Sequence, residues 1–177
     1  MSSIKIQKIS ITELETDAIV NAANSELQMG SGVCGAIFRT AGPRQLQAAC
    51  DSIGGCKTGD AVITPGFNLP AKHVIHAVGP IWRGGGKGEP DQLYSAYKRF
   101  LEVAKDNGLH SIAFPLISAG IYGYPTDKAW QTALQACRDF IDANSGYEIG
   151  IIFAVIDDGI MATGMKTMTD LDITDKM

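Results

Sequence analysis

No two of the four cysteines, Cys34, Cys50, Cys56 and Cys137, stand at CxxC or CxxH spacing, so neither a zinc site nor a dithiol redox motif is signalled. Basic residues are also scarce. Fifteen Lys and Arg face 19 Asp and Glu, giving a net charge of −4 at pH 7. A chain so balanced offers no basic surface to neutralise a nucleic-acid duplex. Apolar runs fall well short of the roughly 18 residues of a membrane span. No N-terminal stretch joins a basic start to an apolar core as an export signal does. These absences predict a cytoplasmic protein with reduced thiols and neither duplex nucleic acid nor membrane as partner; a monomer is expected, though nothing in the sequence pattern encodes the oligomeric state. Histidine is sparse too, with His73, His76 and His110 only. On a strand, the three-residue separation within HVIH puts His73 and His76 on opposite sides of the sheet, which defeats joint metal binding. His76 is expected in the core and His110 in a helix-to-strand loop. Spacing reveals no Ser-His-Asp or Cys-His pair, and nothing calls for a metal or another cofactor.

Glycine, by contrast, is plentiful at 20 of 177 residues. Much of it falls in two loops. The first follows the apolar stretch AIVNAAN and reads MGSGVCGAI over residues 29–37; the second follows SIAFPLI and reads SAGIYGYP over residues 118–125. Each has a strand pattern before it and a helical pattern after it. Such a junction aims backbone N–H groups and a helix N-terminus at one spot, which suits a phosphate. Neither loop fits G-x-G-x-x-G or the lysine-bearing loop of nucleoside-triphosphate hydrolases, which disfavours a nicotinamide site and ATP hydrolysis.

The remaining pattern interleaves strands and helices. Residues 4–9 alternate as an antiparallel or edge strand, and 18–22, 61–64, 72–78, 112–116 and 149–156 read as further strands. Helical spacing covers 32–41, 43–53, 91–107 and 126–144, with Gly108 a C-terminal stop. Residues 83–90 read as a flexible glycine-rich excursion. Met161, Met165 and Met168 are placed on one face of a last helix, and about eight final residues are expected to fray. The expected fold is one α/β domain over residues 1–177, with a mixed, mostly parallel six-stranded sheet between helical layers. Asn21 is expected to be a structural hydrogen-bonder and Asn24 the asparagine turned to a ligand. Tyr124 leans structural; Tyr122, between glycines, is evenly a core aromatic or a wall against a ribose.

With these residues in hand, the chain resembles the macro domain family. The resemblance rests on DAIVNAAN (17–24), GSGVCGAI (30–37), TGDAVIT (58–64), LPAKHVIHAVGP (69–80) and SIAFPLISAGIYGYP (111–125). It looks closest to the branch with O-acetyl-ADP-ribose deacetylases and mono-ADP-ribosyl hydrolases. The resemblance implies an ADP-ribose cleft at the strand ends. Gly32, Val33 and Gly35, with Ser118, Ala119, Gly120, Ile121, Tyr122 and Gly123, would enclose the diphosphate. Asn24, beside Ala22, would hydrogen-bond the distal ribose. Ile156 and Asp157 would lie beside the adenosine, with Ser10 and Ile11 near the adenine amine.

Two positions depart from the family pattern. Ser10 stands where an aspartate commonly accepts from the adenine amine; losing the charge on the acceptor weakens that bond on the order of 1 kcal/mol. Cys34 stands where hydrolase-type members place an aspartate that orients or activates water. An ordinary thiol is a poor general base at neutral pH, and losing such a base typically forfeits roughly 10²–10⁴-fold in rate. The implied function is therefore ADP-ribose binding with hydrolysis of ADP-ribosyl esters, on acidic side chains or O-acetyl-ADP-ribose. Asn24 and, as thiolate or nucleophile, Cys34 are the candidate catalytic residues. The alternative is a non-catalytic reader of ADP-ribose.

Overall fold

The computed structural model describes residues 1–173. Six strands form one sheet: β1 (Ser3–Lys8), β2 (Ala18–Ala22), β3 (Ala61–Pro65), β4 (His73–Ala77), β5 (Ser111–Phe114) and β6 (Gly150–Val155). Their order is β1-β6-β5-β2-β4-β3, and every pairing is parallel except β3 with β4. The mixed, mostly parallel sheet expected from the pattern is thus present. β1 lies at an edge, but it runs parallel to β6, pairing Ile4 with Ile151 and Lys8 with Val155.

Helices α1 (Gly32–Ala41) and α2 (Pro43–Ile53) cover one face. Helices α3 (Glu89–Asp106), α4 (Thr126–Ala143) and α5 (Asp158–Asp170) cover the other. The central strands are buried on both sides, which is why they read as unbroken apolar runs. In β2, Ala18 and Val20 turn toward the α3–α4–α5 core while Ile19 turns toward Ile37, Phe38 and Leu46 of α1 and α2. β6 divides likewise, Ile151, Phe153 and Val155 to one side and Ile152 and Ala154 to the other. An aromatic cluster of Tyr97, Phe100, Phe114, Trp130 and Phe153 fills the larger core.

Three expectations need correction. The segment 83–88 is not loose. α3 starts at Glu89, and that buried side chain accepts hydrogen bonds from the backbone N–H groups of Arg83, Gly85 and Lys87. Met165 faces solvent at 40% exposure, whereas Gly164 and Met168 face inward, because Gly164 lies against Trp130. Within the stretch expected to fray, Asp170 still belongs to α5 and Ile173 N–H donates to Met168 O at 2.8 Å. Residues 174–177 lie outside the described residues.

Candidate functional site

β2, β5 and β6 all end at the same edge of the sheet, so the segments that follow them meet there. The turn after β2 is built by Asn24. Its Oδ1 accepts from Gln28 N–H at 2.9 Å and its Nδ2 donates to Gln28 O at 2.9 Å, closing a loop in which Leu27 adopts φ +57°. Gln47 of α2 locks the same loop, donating to Leu27 O at 3.0 Å and accepting from Met29 N–H at 2.9 Å. Gly35 allows α1 to lie against it, since a Cβ there would stand 2.6 Å from Gly30 O.

α1 then begins without a cap. Ser31 occupies the capping position and makes no side-chain hydrogen bond, and the earliest helical bond is Gly35 N–H to Ser31 O at 3.2 Å. The amides of Gly32, Val33 and Cys34 are accordingly the helix's unpaired first-turn donors, at the positive end of its dipole. Cys34 is buried, its thiol directed at Gln28 O at 3.8 Å.

The loop after β5 faces this helix start. Ser118 is held at φ +67°, its carbonyl accepting from Tyr124 N–H at 2.9 Å, and Gly123 N–H closes onto Gly120 O at 3.0 Å. Among the described residues, the amides of Gly120, Ile121 and Tyr122 have no protein acceptor. Burial first, then the proximity of Glu26 and Cys34, push the Tyr122 phenol above its ordinary range. Tyr124 is buried, as expected, against Trp82.

Between the two loops lies a cavity of about 440 Å³. It brings together Ala22, Asn24, Gly32, Val33, Cys34, residues 118–122, Ile156 and Asp157, all of which the sequence singled out. Gly35 and Gly123 are not in the wall; Gly35, within α1, lets the helix lie against Gly30, and Gly123, at φ +73°, turns the second loop. Ile11 is in the core beneath α1. Ser10 leaves the sheet where Ile9 N–H donates to Val155 O, next to Ile156, and its hydroxyl pairs with Thr12 at 2.9 Å outside the cavity wall. Gly79 and Ile160 also line the cavity and carried no sequence signal beyond a strand-ending Gly-Pro and an apolar residue in a weak helix. Asn21 and His76 are absent from the wall. They pair at 3.1 Å inside the core.

A model of the macro domain family matches residues 20–133. The chain belongs to the macro domain family. It is 48% identical over 158 residues to a macro domain-containing protein of Mesorhizobium japonicum, covering 89% of each. The Oceanobacillus iheyensis macrodomain, solved with ADP, aligns with 97% of this chain and 92% of its own at a TM-score of 0.91 and 35% identity. The Trypanosoma brucei macrodomain, solved in complex with ADP-ribose, aligns at 0.85 and 40% identity, covering 93% of this chain and 68% of that one.

In this macro domain, helix N-termini meet the cavity at both ends and differ in state. α1 is uncapped, whereas the Asp157 carboxylate caps α5 by accepting from Ile160 N–H at 2.8 Å. Among the described residues, no helix is long and apolar enough to cross a membrane.

Proposed function

We propose that the protein binds ADP-ribose in this cavity and hydrolyses ADP-ribosyl esters. The observation that carries the binding is the opposition of two sets of unpaired amides, Gly32 to Cys34 and Gly120 to Tyr122, across one cavity. Converging N–H dipoles hold a diphosphate without a positive side chain, which suits an acidic chain. The relatives solved with ADP and ADP-ribose support the same ligand. On this reading Ser118 to Gly123 and Gly32 to Gly35 enclose the diphosphate, Ile156 and Asp157 flank the adenosine, and Asn24 meets the distal ribose.

Hydrolysis would follow from position. Water adds to the ester carbonyl carbon, the bond from that carbon to the ribose oxygen breaks, the sugar recovers a hydroxyl, and the acid leaves as carboxylate with a proton released to solvent. Asn24 is fixed by Gln28 yet keeps one N–H and one lone pair free for the sugar or water. Holding both reactants in place is a large share of catalysis even without a strong base.

A specific observation favours a second reading, a non-catalytic reader. Cys34 supplies a thiol, not a carboxylate, and that thiol is already directed at Gln28 O. The deciding experiment follows release of ADP-ribose from a mono-ADP-ribosylated substrate by mass spectrometry, with Asn24→Ala and Cys34→Asp alongside. Turnover that Asn24→Ala abolishes supports the hydrolase. Binding without turnover, with activity gained in Cys34→Asp, establishes the reader. No binding of ADP-ribose at all would overturn both.

A further inference from the structure

The segment from Trp82 to Gly88 carries positive φ at Gly84, Gly85 and Gly88, a composition that left alone would be mobile. Glu89 removes that freedom. Its side chain is 1% exposed, and its two carboxylate oxygens accept from Arg83 N–H at 2.9 Å, Gly85 N–H at 2.8 Å and Lys87 N–H at 2.6 Å. Burial pushes this carboxyl up, but the backbone donors outweigh it and hold it at about 2, so the group stays charged across the physiological range.

The pinned strap is attached to the second loop at two points. Trp82 N–H donates to Tyr122 O at 2.8 Å, and the Trp82 ring packs on Tyr124 at 4.7 Å between centroids. Lys128 covers the same ring at 5.5 Å. Gly120, Ile121 and Tyr122 carry the unpaired amides beside the cavity; among the described residues, the backbone bonds within this loop are Ala119 N–H to Leu116 O, Gly123 N–H to Gly120 O and Tyr124 N–H to Ser118 O.

We propose that Glu89 and Trp82 are positioning residues for ligand binding: the carboxylate freezes the strap, and the strap holds the Gly120–Tyr122 amides aimed at the diphosphate. The ligand's identity rests on the ADP-ribose reading above; the mechanical link does not. A preorganised loop binds at full intrinsic affinity, whereas one that is competent a tenth of the time binds about tenfold more weakly.

Two full-length variants test this. Glu89→Gln replaces one acceptor oxygen by a donor. Gly85→Ala strains the strap while leaving the Glu89 side chain itself unaltered: its Cβ would stand 2.7 Å from the Trp82 ring at φ +88°. Each is measured, where circular dichroism shows it folded, by calorimetric titration with ADP-ribose and by amide exchange without ligand. The expected result is a Kd raised about tenfold, with faster exchange of the Gly123 and Tyr124 amides and unchanged exchange in β5 and β6. Affinity within twofold of the wild type in a folded variant overturns the proposal, whatever the exchange does. If Glu89→Gln does not fold, Gly85→Ala decides. If the wild type itself fails to bind ADP-ribose, the ligand reading falls, and exchange at Gly123 and Tyr124 alone upholds or overturns the strap.

Discussion

Gly79, which ends the stretch after β4, has no side chain for a reason that can be measured. A Cβ there would lie 2.2 Å from Ser118 Oγ and 2.6 Å from Ile117 Cγ2. Neither neighbour yields easily. Ile117 is buried and its N–H donates to the Tyr97 hydroxyl at 2.9 Å. Ser118 sits at φ +67° with its carbonyl held by Tyr124, and its hydroxyl is buried with no partner among the described residues. Gly79→Ala is therefore an overpacking substitution costing about 1–3 kcal/mol. Ser118→Gly removes the nearer of the two clashing atoms and also relieves a left-handed backbone that costs an L-residue roughly 1–2 kcal/mol. Combining the two substitutions should recover at least about 1 kcal/mol relative to their sum, with the Ile117 contact keeping the rescue partial. Urea unfolding of the four proteins measures this coupling. Additivity within about 0.5 kcal/mol, or an unchanged stability in Gly79→Ala, would show that Ser118 is not packed as described. Titration of ADP-ribose into the same set adds the functional half: Gly79→Ala displaces the second loop and weakens binding, and Ser118→Gly partly restores it.

Acid should act through His76. Thr64 gives its one hydroxyl proton to Pro65 O, so it accepts from His76 Nε2, leaving Nδ1 to accept from Asn21 Nδ2; the ring is neutral. Burial lowers its pKa from 6.5 to about 4. The unfolded chain then takes up a proton that the folded one refuses, so stability is lost as pH falls from about 6.5 to about 4, on the order of 3 kcal/mol. Urea midpoints at pH 7 and 4.5 should differ less in His76→Gln than in the wild type; an equal difference would assign the acid sensitivity elsewhere. In α5, Gly164→Ala gains helix propensity of about 1 kcal/mol yet puts a Cβ 2.6 Å from Trp130 and 2.8 Å from Ile6. A net loss of stability is expected in thermal unfolding, and a gain would mean that α5 packs less closely than its distances say.

The sheet was legible because its strands are short, doubly buried and apolar, so composition alone marks them. Of the two readings of β1, antiparallel or edge, the edge position holds and the antiparallel direction does not, because alternation reports one covered face, not direction; its pairing with β6 links residues nearly 150 positions apart, which no local pattern encodes. The two glycine loops were legible as neighbours of one cavity, since each follows an apolar strand that ends at the same side of the sheet. What could not be read was the support behind them. Glu89 looked like the tail of a flexible stretch, because a single carboxylate gathering three amides depends on a loop closing around it. Gln47 gave no signal either, being one polar residue on an exposed helical surface until the first loop folds onto it. Alternation could separate Asn21 from Asn24 only on a strand running through both; β2 ends at Ala22, and it is the turn closed on Gln28 that sets Asn24 in the cavity wall while Asn21 pairs with His76 in the core.

The two ends of the cavity are chemically unlike, and that difference supports one direction for the ligand. At the α1 end the first-turn amides are unpaired and Ser31 supplies no cap, so the dipole is available to an anion. At the α5 end the protein spends the helix start on its own carboxylate, Asp157, leaving a negative group that repels phosphate and accepts from hydroxyls or an amine. Beside Asp157, Ile156 is 74% exposed, an apolar surface of the kind a purine covers. On the proposed ADP-ribose reading, the ligand would lie with its nucleoside toward Ile156 and Asp157 and its diphosphate toward Gly32. On that proposal its far sugar, and the acid esterified to it, would lie between Asn24, Cys34 and Tyr122. The reversed direction would set phosphate against a carboxylate and leave the uncapped helix start facing a neutral base, losing the attraction at one end and adding repulsion at the other.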